Sequence, residues 1–508
     1  MSMDMLVTGA TASMNSPSIH WFRLDLRLAD NPALQAALKR SAPVVPVFIH
    51  APEEESPWEL GGASRWWLHQ SLQALDADLR QVGSRLVIRR GPSSATLQSL
   101  AKETGASAVF WNRRYEPVVI QRDQNIKETL LACGLEAESF NGALLKEPWE
   151  VQKQSGKPFQ VFTPFWRHCL AKPAPSEPAP APRKIPTPKK WPESLVLDAL
   201  ELEPKIQWAK SIRAAWQPGA AGAQAQLRRF LRAAVSNYDE DRNRPDRAGT
   251  SRLSPHLHFG EITPRQIWHA ARRHAESKSI PETTWRAWQF LTEIGWREFA
   301  HHLLYHFPHT PAEPLRADFK RFPWHTNAAF LKAWQKGRTG YPIVDAGMRE
   351  LWATGWMHNR VRMLVASFLV KDLLLSWQEG AAWFWDTLVD ADLAQNTLGW
   401  QWTAGCGADA APYFRVFNPI SQGEKFDPCG DYVRRWCPEL TGLPDDWLHR
   451  PWQAPPEILA RAEVELDRTY PCPIVSHAIA REVALEAFSR IRGGKHHQSD
   501  LDAQGGGR

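Results

Sequence analysis

Between residues 18 and 140, short apolar stretches alternate with amphipathic ones. Residues 18–22, 44–50, 86–89 and 108–112 are brief and nearly unbroken in apolar character, which predicts buried strands. Between them Leu68, Leu72, Leu75 and Leu79 recur at helical spacing on one face. Strand–helix alternation predicts a doubly wound parallel sheet with helices on both faces and ligands at the carboxyl ends of its strands. Neither GxGxxG nor a P-loop signature occurs, so a standard dinucleotide or nucleoside-triphosphate pocket is not supported.

A break follows this block. Seven prolines fall within residues 173–188, with Arg183, Lys184, Lys189 and Lys190 nearby. Proline at that density continues neither a helix nor a sheet ladder and predicts a stiff connector over the surface. From about 216 to 490 the pattern is helical. The expected organisation is a flexible start at 1–17, an α/β domain at 18–145, a connector at 146–215, an all-helical domain at 216–490 and a disordered tail at 491–508.

Composition narrows the class. The chain has 508 residues and 26 tryptophans against 7 tyrosines and 21 phenylalanines, so the aromatic excess is tryptophan itself. Indole stacks on flat ligands and is oxidisable. The longest apolar run, at 363–370, is eight residues even with Ser367 included, far short of the ~20 needed for a membrane helix. The first residues lack a cationic start before an apolar core, so no secretory signal is expected. Six cysteines without a CxxC pair predict reduced thiols in a cytoplasmic protein. A net charge of +6 fits a polyanionic partner.

Six segments in the C-terminal half then define a resemblance. They are TSRLSPHLHFGEITPRQ (250–266), FLTEIGWREF (290–299), FPW (322–324), TGYPIVDAGMREL (339–351), TGWMHNRVRM (354–363), and DADLAQNTLGWQW with GADAAPYFRVFNP (390–419). With HWFRLDLRLADN at 20–31, they make the chain similar, nearly end to end, to the DNA photolyase/cryptochrome family, and most like its bacterial members acting on cyclobutane pyrimidine dimers. The resemblance implies a Rossmann-like antenna domain, a long connector and an all-helical domain holding a U-shaped FAD.

It also assigns residues. Thr250, Ser251, Arg252, Leu253 and Ser254 match the loop that holds the FAD diphosphate, with Tyr238 upstream. Taken alone, such a cluster of hydroxyls, backbone N–H groups and a cation is either an anion cradle or an ordinary helix cap. Arg362 and Asp390 match an ion pair over the flavin ring. Asp392 and Asn396 match its edge, with Asn396 opposite the ring nitrogen N5, where plant cryptochromes carry Asp; Asn exchanges no proton with the flavin, which favours repair over signalling.

Glu293, Trp296 and Arg297 stand at i, i+3 and i+4 and share a helical face. Arg297 is implied beside the cofactor. Glu293, Trp296, Asn359, Met363 and Trp402 are implied to surround a flipped-out dimer, with Glu293 helping only when burial keeps it protonated. Asn359 and Met363 stand where enzymes acting on (6-4) products carry histidines. Trp400, Trp377 and Trp324 match an electron-transfer triad, and Arg242, Arg360 and Arg415 match positions contacting DNA or lesion.

The implied activity is light-driven splitting of the dimer by an electron from reduced FAD, in a monomer whose partner is damaged DNA and which has no membrane partner. The rival is a blue-light photoreceptor signalling through a partner protein, usually marked by a long tail; a tail of about fifteen residues is expected here. A flavoprotein binding DNA without chemistry is a weaker rival. Some relatives bind a folate through an Asn-Glu pair shortly after the Tyr-Glu seen here as Tyr115 and Glu116; this chain has Val118 and Val119 there. Methenyltetrahydrofolate bound in another manner is favoured over deazaflavin, and an empty antenna stays open. No metal and no iron–sulfur cluster are expected.

Overall fold

The structure, a computed structural model, describes residues 16–205, 207–410 and 414–504, without the side chains of Gln207 and 492–504. The expected N-terminal extension lies almost wholly outside these residues.

Five parallel strands form one sheet in the order β3-β2-β1-β4-β5: β1 Ser18–Phe22, β2 Val44–His50, β3 Val87–Arg90, β4 Ala108–Asn112 and β5 Glu136–Phe140. In the central ladder Trp21 pairs with Val47 on one side and Trp111 on the other. All residues of β1 and β4 are buried, as a sheet covered on both faces requires. The crossover helices are α1 Pro32–Lys39, α2 Gly62–Gln81, α3 Ser93–Thr104 and α4 Pro117–Ala132. Leu68, Leu72, Leu75 and Leu79 of α2 are buried, as their spacing predicts. The fifth strand was not legible: its burial alternates weakly, because it lies at the sheet edge.

Order reverses between β1 and β4, and the helical part docks on the carboxyl edge there. Leu26 donates its N–H to the Phe259 carbonyl at 3.1 Å. The buried Arg27 guanidinium donates to the carbonyls of Gly260 (2.8 Å) and Gly142 (2.7 Å). Gly260 has φ +62°, and a Cβ there would lie 2.3 Å from the Leu24 carbonyl oxygen, so only glycine permits this approach. Glu261 completes the seam, accepting from Trp67 Nε1 at 3.0 Å and Gly219 N at 2.8 Å.

The proline-rich stretch is a pinned strap. Proline donates no N–H but keeps its carbonyl, and the strap is held largely by its oxygens: Pro175 by His269 Nε2 (2.9 Å), Ala179 by Asp30 N (2.8 Å) and Pro186 by Val44 N (2.8 Å). The segment expected as connector also contains a helix, α5 Phe162–Ala171, whose Phe162, Phe165 and Trp166 join the helical core.

The helices that position the site are α6 Ala220–Ala233, α7 Tyr238–Asp241, α8 Ser254–His258, α9 Pro264–Ser277, α10 Gln289–His306, α11 Pro342–Thr354, α12 Asn359–Ser367, α13 Trp377–Thr387 and α14 Leu393–Ala404. The final helix, α15 His477–Gln504, runs past residue 490, where the sequence predicts helical structure to end. No helix among the described residues is long and apolar enough to cross a membrane. All six cysteines are unpaired.

Candidate active site

Three clusters of the expected residues assemble, and tryptophans not singled out by sequence link two of them. The 250–254 segment leads into α8, whose start no side chain caps. Arg252 adopts φ +50°. Its guanidinium lies 4.1 Å from the Trp216 ring centre and 5.2 Å from that of Trp356, and its Nε is buried without a partner. Trp356 donates to Ser254 Oγ at 3.3 Å and sits 5.8 Å from the Arg362 guanidinium. Arg362 Nη2 donates to both Asp390 oxygens, at 3.1 and 2.8 Å, and its Nε donates to the Met357 carbonyl at 2.7 Å. A cation with an orphaned donor beside an uncapped turn, next to a second fixed cation, fits a dinucleotide's diphosphate and an electron-rich ring. The residues present therefore fit FAD.

Asp392 caps α14, accepting from Gln395 N at 3.0 Å, and faces His258 (3.5 Å) and His301 (3.6 Å). Burial pushes its carboxyl up, but His301, His258 and Arg297 outweigh it and hold it far below the usual carboxylate range. Arg297 itself donates to the Ala143 carbonyl at 2.8 Å, tying α10 to the loop after β5. Asn396 donates to the Ala381 carbonyl of α13 at 3.0 Å, which fixes its amide orientation.

The third cluster gathers Glu293, Arg242, Arg360 and Met363. Arg242, closing α7, forms a salt bridge with Glu293, whose Oε1 also accepts from Gln289 Nε2 at 2.8 Å. Burial lowers the Arg360 guanidinium, and the fields of Arg242 and Arg415 lower it further. Arg360 also donates to Asn243, contacts Met363 Sδ at 3.8 Å and lies 4.5 Å from the Phe426 ring centre. Arg415 and Trp402 line one small cavity. Trp296 is half-buried and stacks on Phe162 of α5, centroids 3.9 Å apart and 8° from parallel. Asn359 opens α12 on the exposed side. One expectation needs correction: the Glu293 side chain is 27% exposed and paired with an arginine, so the burial invoked for its protonation is not present.

Trp377 and Trp400 are each 2% exposed, and Trp324 is half-buried at the rim against Phe322, 4.3 Å between ring centres. The Trp400 indole packs onto Gly380 of α13; a Cβ there would stand 2.0 Å from Trp400 Cη2. Gly380→Ala is therefore expected to displace the ring or the helix and lower stability by about 1–3 kcal/mol or more, read by denaturant unfolding.

Glu350 is a site residue the sequence did not reveal. It accepts from the Tyr432 hydroxyl at 2.7 Å and from His358 N, at the start of α12, at 3.3 Å. Burial pushes it up to about 7, against the pull of Tyr432, His358, Arg252 and Arg362. The folded protein then holds a proton that the unfolded chain releases near 4.5. Its contribution to stability is intact below that pH and is lost as pH rises through about 7. Glu350→Gln is expected to flatten this slope, so that the loss of unfolding free energy between pH 5 and pH 8 is smaller than in wild type.

Two cavities lie on the sheet domain. One, of about 200 Å³, is lined by Trp58, Val118, Val119, His258, Trp385 and Leu393, with the Trp58 and Trp385 rings edge to face, 5.6 Å between centres. The other, of about 250 Å³, lies at the carboxyl ends of β1 and β2, lined by Trp21, Arg23, His50 and Arg122 among others.

Residues 290–490 match the FAD binding domain of DNA photolyase, and residues 18–184 match the DNA photolyase domain. The chain is 49% identical to a deoxyribodipyrimidine photo-lyase of Agrobacterium fabrum over 94% of its length and 98% of that protein's. It is 44% identical to cryptochrome-1 of Arabidopsis thaliana over 93% of its length and 70% of that protein's. Its structure superposes on that of a bacterial class III photolyase from Agrobacterium tumefaciens with a TM-score of 0.91 at 48% identity, covering 95% of this chain and 99% of that one. The fold and these matches agree: the chain belongs to the DNA photolyase/cryptochrome family.

Proposed function

We infer that this protein is a light-driven lyase that repairs cyclobutane pyrimidine dimers in DNA. The observation that carries the reading is the cluster in which Arg242 pairs with Glu293 and Arg360 contacts Met363: cations beside a carboxylate and an apolar sulfur suit a phosphate backbone with two flipped bases. Bound FAD, in its reduced form, supplies the photoexcited electron donor. The chain does the rest. Arg252, Ser254 and Tyr238 hold the diphosphate, and Arg362 paired with Asp390 sets a fixed positive field. Trp296 and Trp402 give the dimer apolar walls, and Glu293 and Asn359 bond its polar edge. The dimer gains one electron, its two inter-base carbon–carbon bonds break, and the electron returns, so nothing is oxidised overall. Trp400, Trp377 and Trp324 form a separate route from the surface.

The cavity lined by Trp58 and Trp385, whose rings meet edge to face, supports a flat antenna chromophore, which folate and deazaflavin both are. Arg114 and Glu116 stand at its edge, Glu116 held down to about 2 because Arg114 outweighs the effect of burial. Asn396 supports repair rather than photoreception, because it offers no carboxyl proton at the ring edge. The reading is tested in cells: expression in ultraviolet-irradiated bacteria lacking other light-dependent repair should raise survival under blue light and not in the dark. Equal survival in light and dark would refute it.

A further inference from the structure

The Arg242–Glu293 salt bridge joins two groups to which the repair reading gives different tasks, one for phosphate and one for the lesion. It spans 51 positions, from the end of α7 to the second turn of α10. Both side chains remain partly open, 26% and 27% exposed, so an incoming anion reaches Arg242 without unfolding anything. Four neighbouring groups offer Glu293 no ready replacement cation. Gln289 is neutral and already bonded to the same carboxylate oxygen. Tyr238 is pushed up by burial and by the Glu293 charge, so it stays a phenol. Burial, reinforced by Arg360, Arg362 and Arg242, pushes His358 down to about 3, so it stays uncharged. Arg360 is engaged by Asn243, Met363 and the Phe426 ring.

We propose that this salt bridge sets the discrimination between damaged and intact DNA: a backbone phosphate draws Arg242 away, Glu293 is left without its cation, and only a dimer replaces what Glu293 has lost. The inference rests on the repair reading. Intact DNA gains a phosphate contact but breaks the pair for nothing. A flipped dimer offers its imide N–H, which the released carboxylate accepts. Specificity here arises from a penalty on the wrong partner as much as from contacts to the right one.

The test is a double-mutant cycle on DNA binding in the dark at one salt concentration. Affinities for an intact oligonucleotide and for the same sequence carrying one cyclobutane dimer are measured for wild type, Glu293→Gln, Arg242→Gln and the double variant. Flavin absorbance and circular dichroism confirm that each is folded. Glu293→Gln is expected to bind intact DNA about two- to fivefold tighter, the range set by a partly exposed ion pair, and the dimer more weakly. In the Arg242→Gln background the same change should leave intact-DNA affinity nearly unmoved. Unchanged or weaker intact-DNA binding by Glu293→Gln overturns the proposal. So does equal tightening in both backgrounds, which would mean simple repulsion between Glu293 and phosphate. If the wild-type protein fails to repair dimers in light, the repair reading falls, while the cycle on intact DNA still decides whether phosphate competes for Arg242.

Discussion

Trp400→Phe is expected to stop blue light from reducing oxidised FAD in the protein, slowing it by about tenfold or more, while leaving dimer repair by chemically pre-reduced protein near wild type. Phenylalanine fills most of the indole's space but is not oxidised by an excited flavin. The proposed pathway runs through indoles of one hydrophobic core: Trp400 and Trp377 are buried in it, and Trp324 packs against it at the rim. Packing damage is separable from lost redox chemistry. Trp334 lies in the same core, fully buried, with its ring centre 6.2 Å from that of Trp400. Trp334→Phe removes comparable volume and lies outside the proposed route. It should lower stability and leave photoreduction intact. Stopped illumination with absorbance detection distinguishes the two variants, and equal photoreduction in both would remove Trp400 from the path.

The second large effect concerns Asp390→Asn. The substitution keeps the shape of the side chain and removes its charge from Arg362. The Asp390 side chain is 3% exposed and that of Arg362 is 23% exposed. Breaking such a pair leaves a poorly solvated cation and is expected to destabilise the protein by about 3 kcal/mol. Arg362 is also held by the Met357 carbonyl and lies near the Trp356 ring, which in turn meets Ser254 in the turn proposed to hold the diphosphate. Disorder in Arg362 would therefore reach the proposed cofactor site. The variant should purify with a markedly lower flavin-to-protein ratio. If the ratio is normal and only stability falls, the pair is structural and its place over the flavin is refuted.

The fold was legible where burial is simple. β1 and β4 are buried throughout and β2 in all but His50, so the three read directly as apolar runs, and the leucines of α2 mark its inward face. β5 escaped because an edge strand exposes alternate residues, and α5 because the prolines beside it suggested a featureless connector. The candidate site was legible only through its resemblance to a family. Nothing in spacing alone joins Glu293 to Arg242, Arg362 to Asp390, or Glu350 to Tyr432, since each pair meets only after the helices pack. The tryptophan excess is also clearer. Trp216 and Trp356 flank Arg252, and Trp58 and Trp385 wall the interdomain cleft. Part of the excess thus stacks on cations and lines a cavity as well as filling core.

The central claim is that this chain splits cyclobutane dimers with light. The most direct measurement mixes the purified protein, with its FAD fully reduced and oxygen excluded, with an oligonucleotide carrying a single thymine dimer, and follows the absorbance of restored thymines under blue light. Recovery in the light, none in the dark and none with a (6-4) photoproduct is the predicted result. Intact dimers after illumination, with the flavin still reduced and the oligonucleotide still bound, would contradict it.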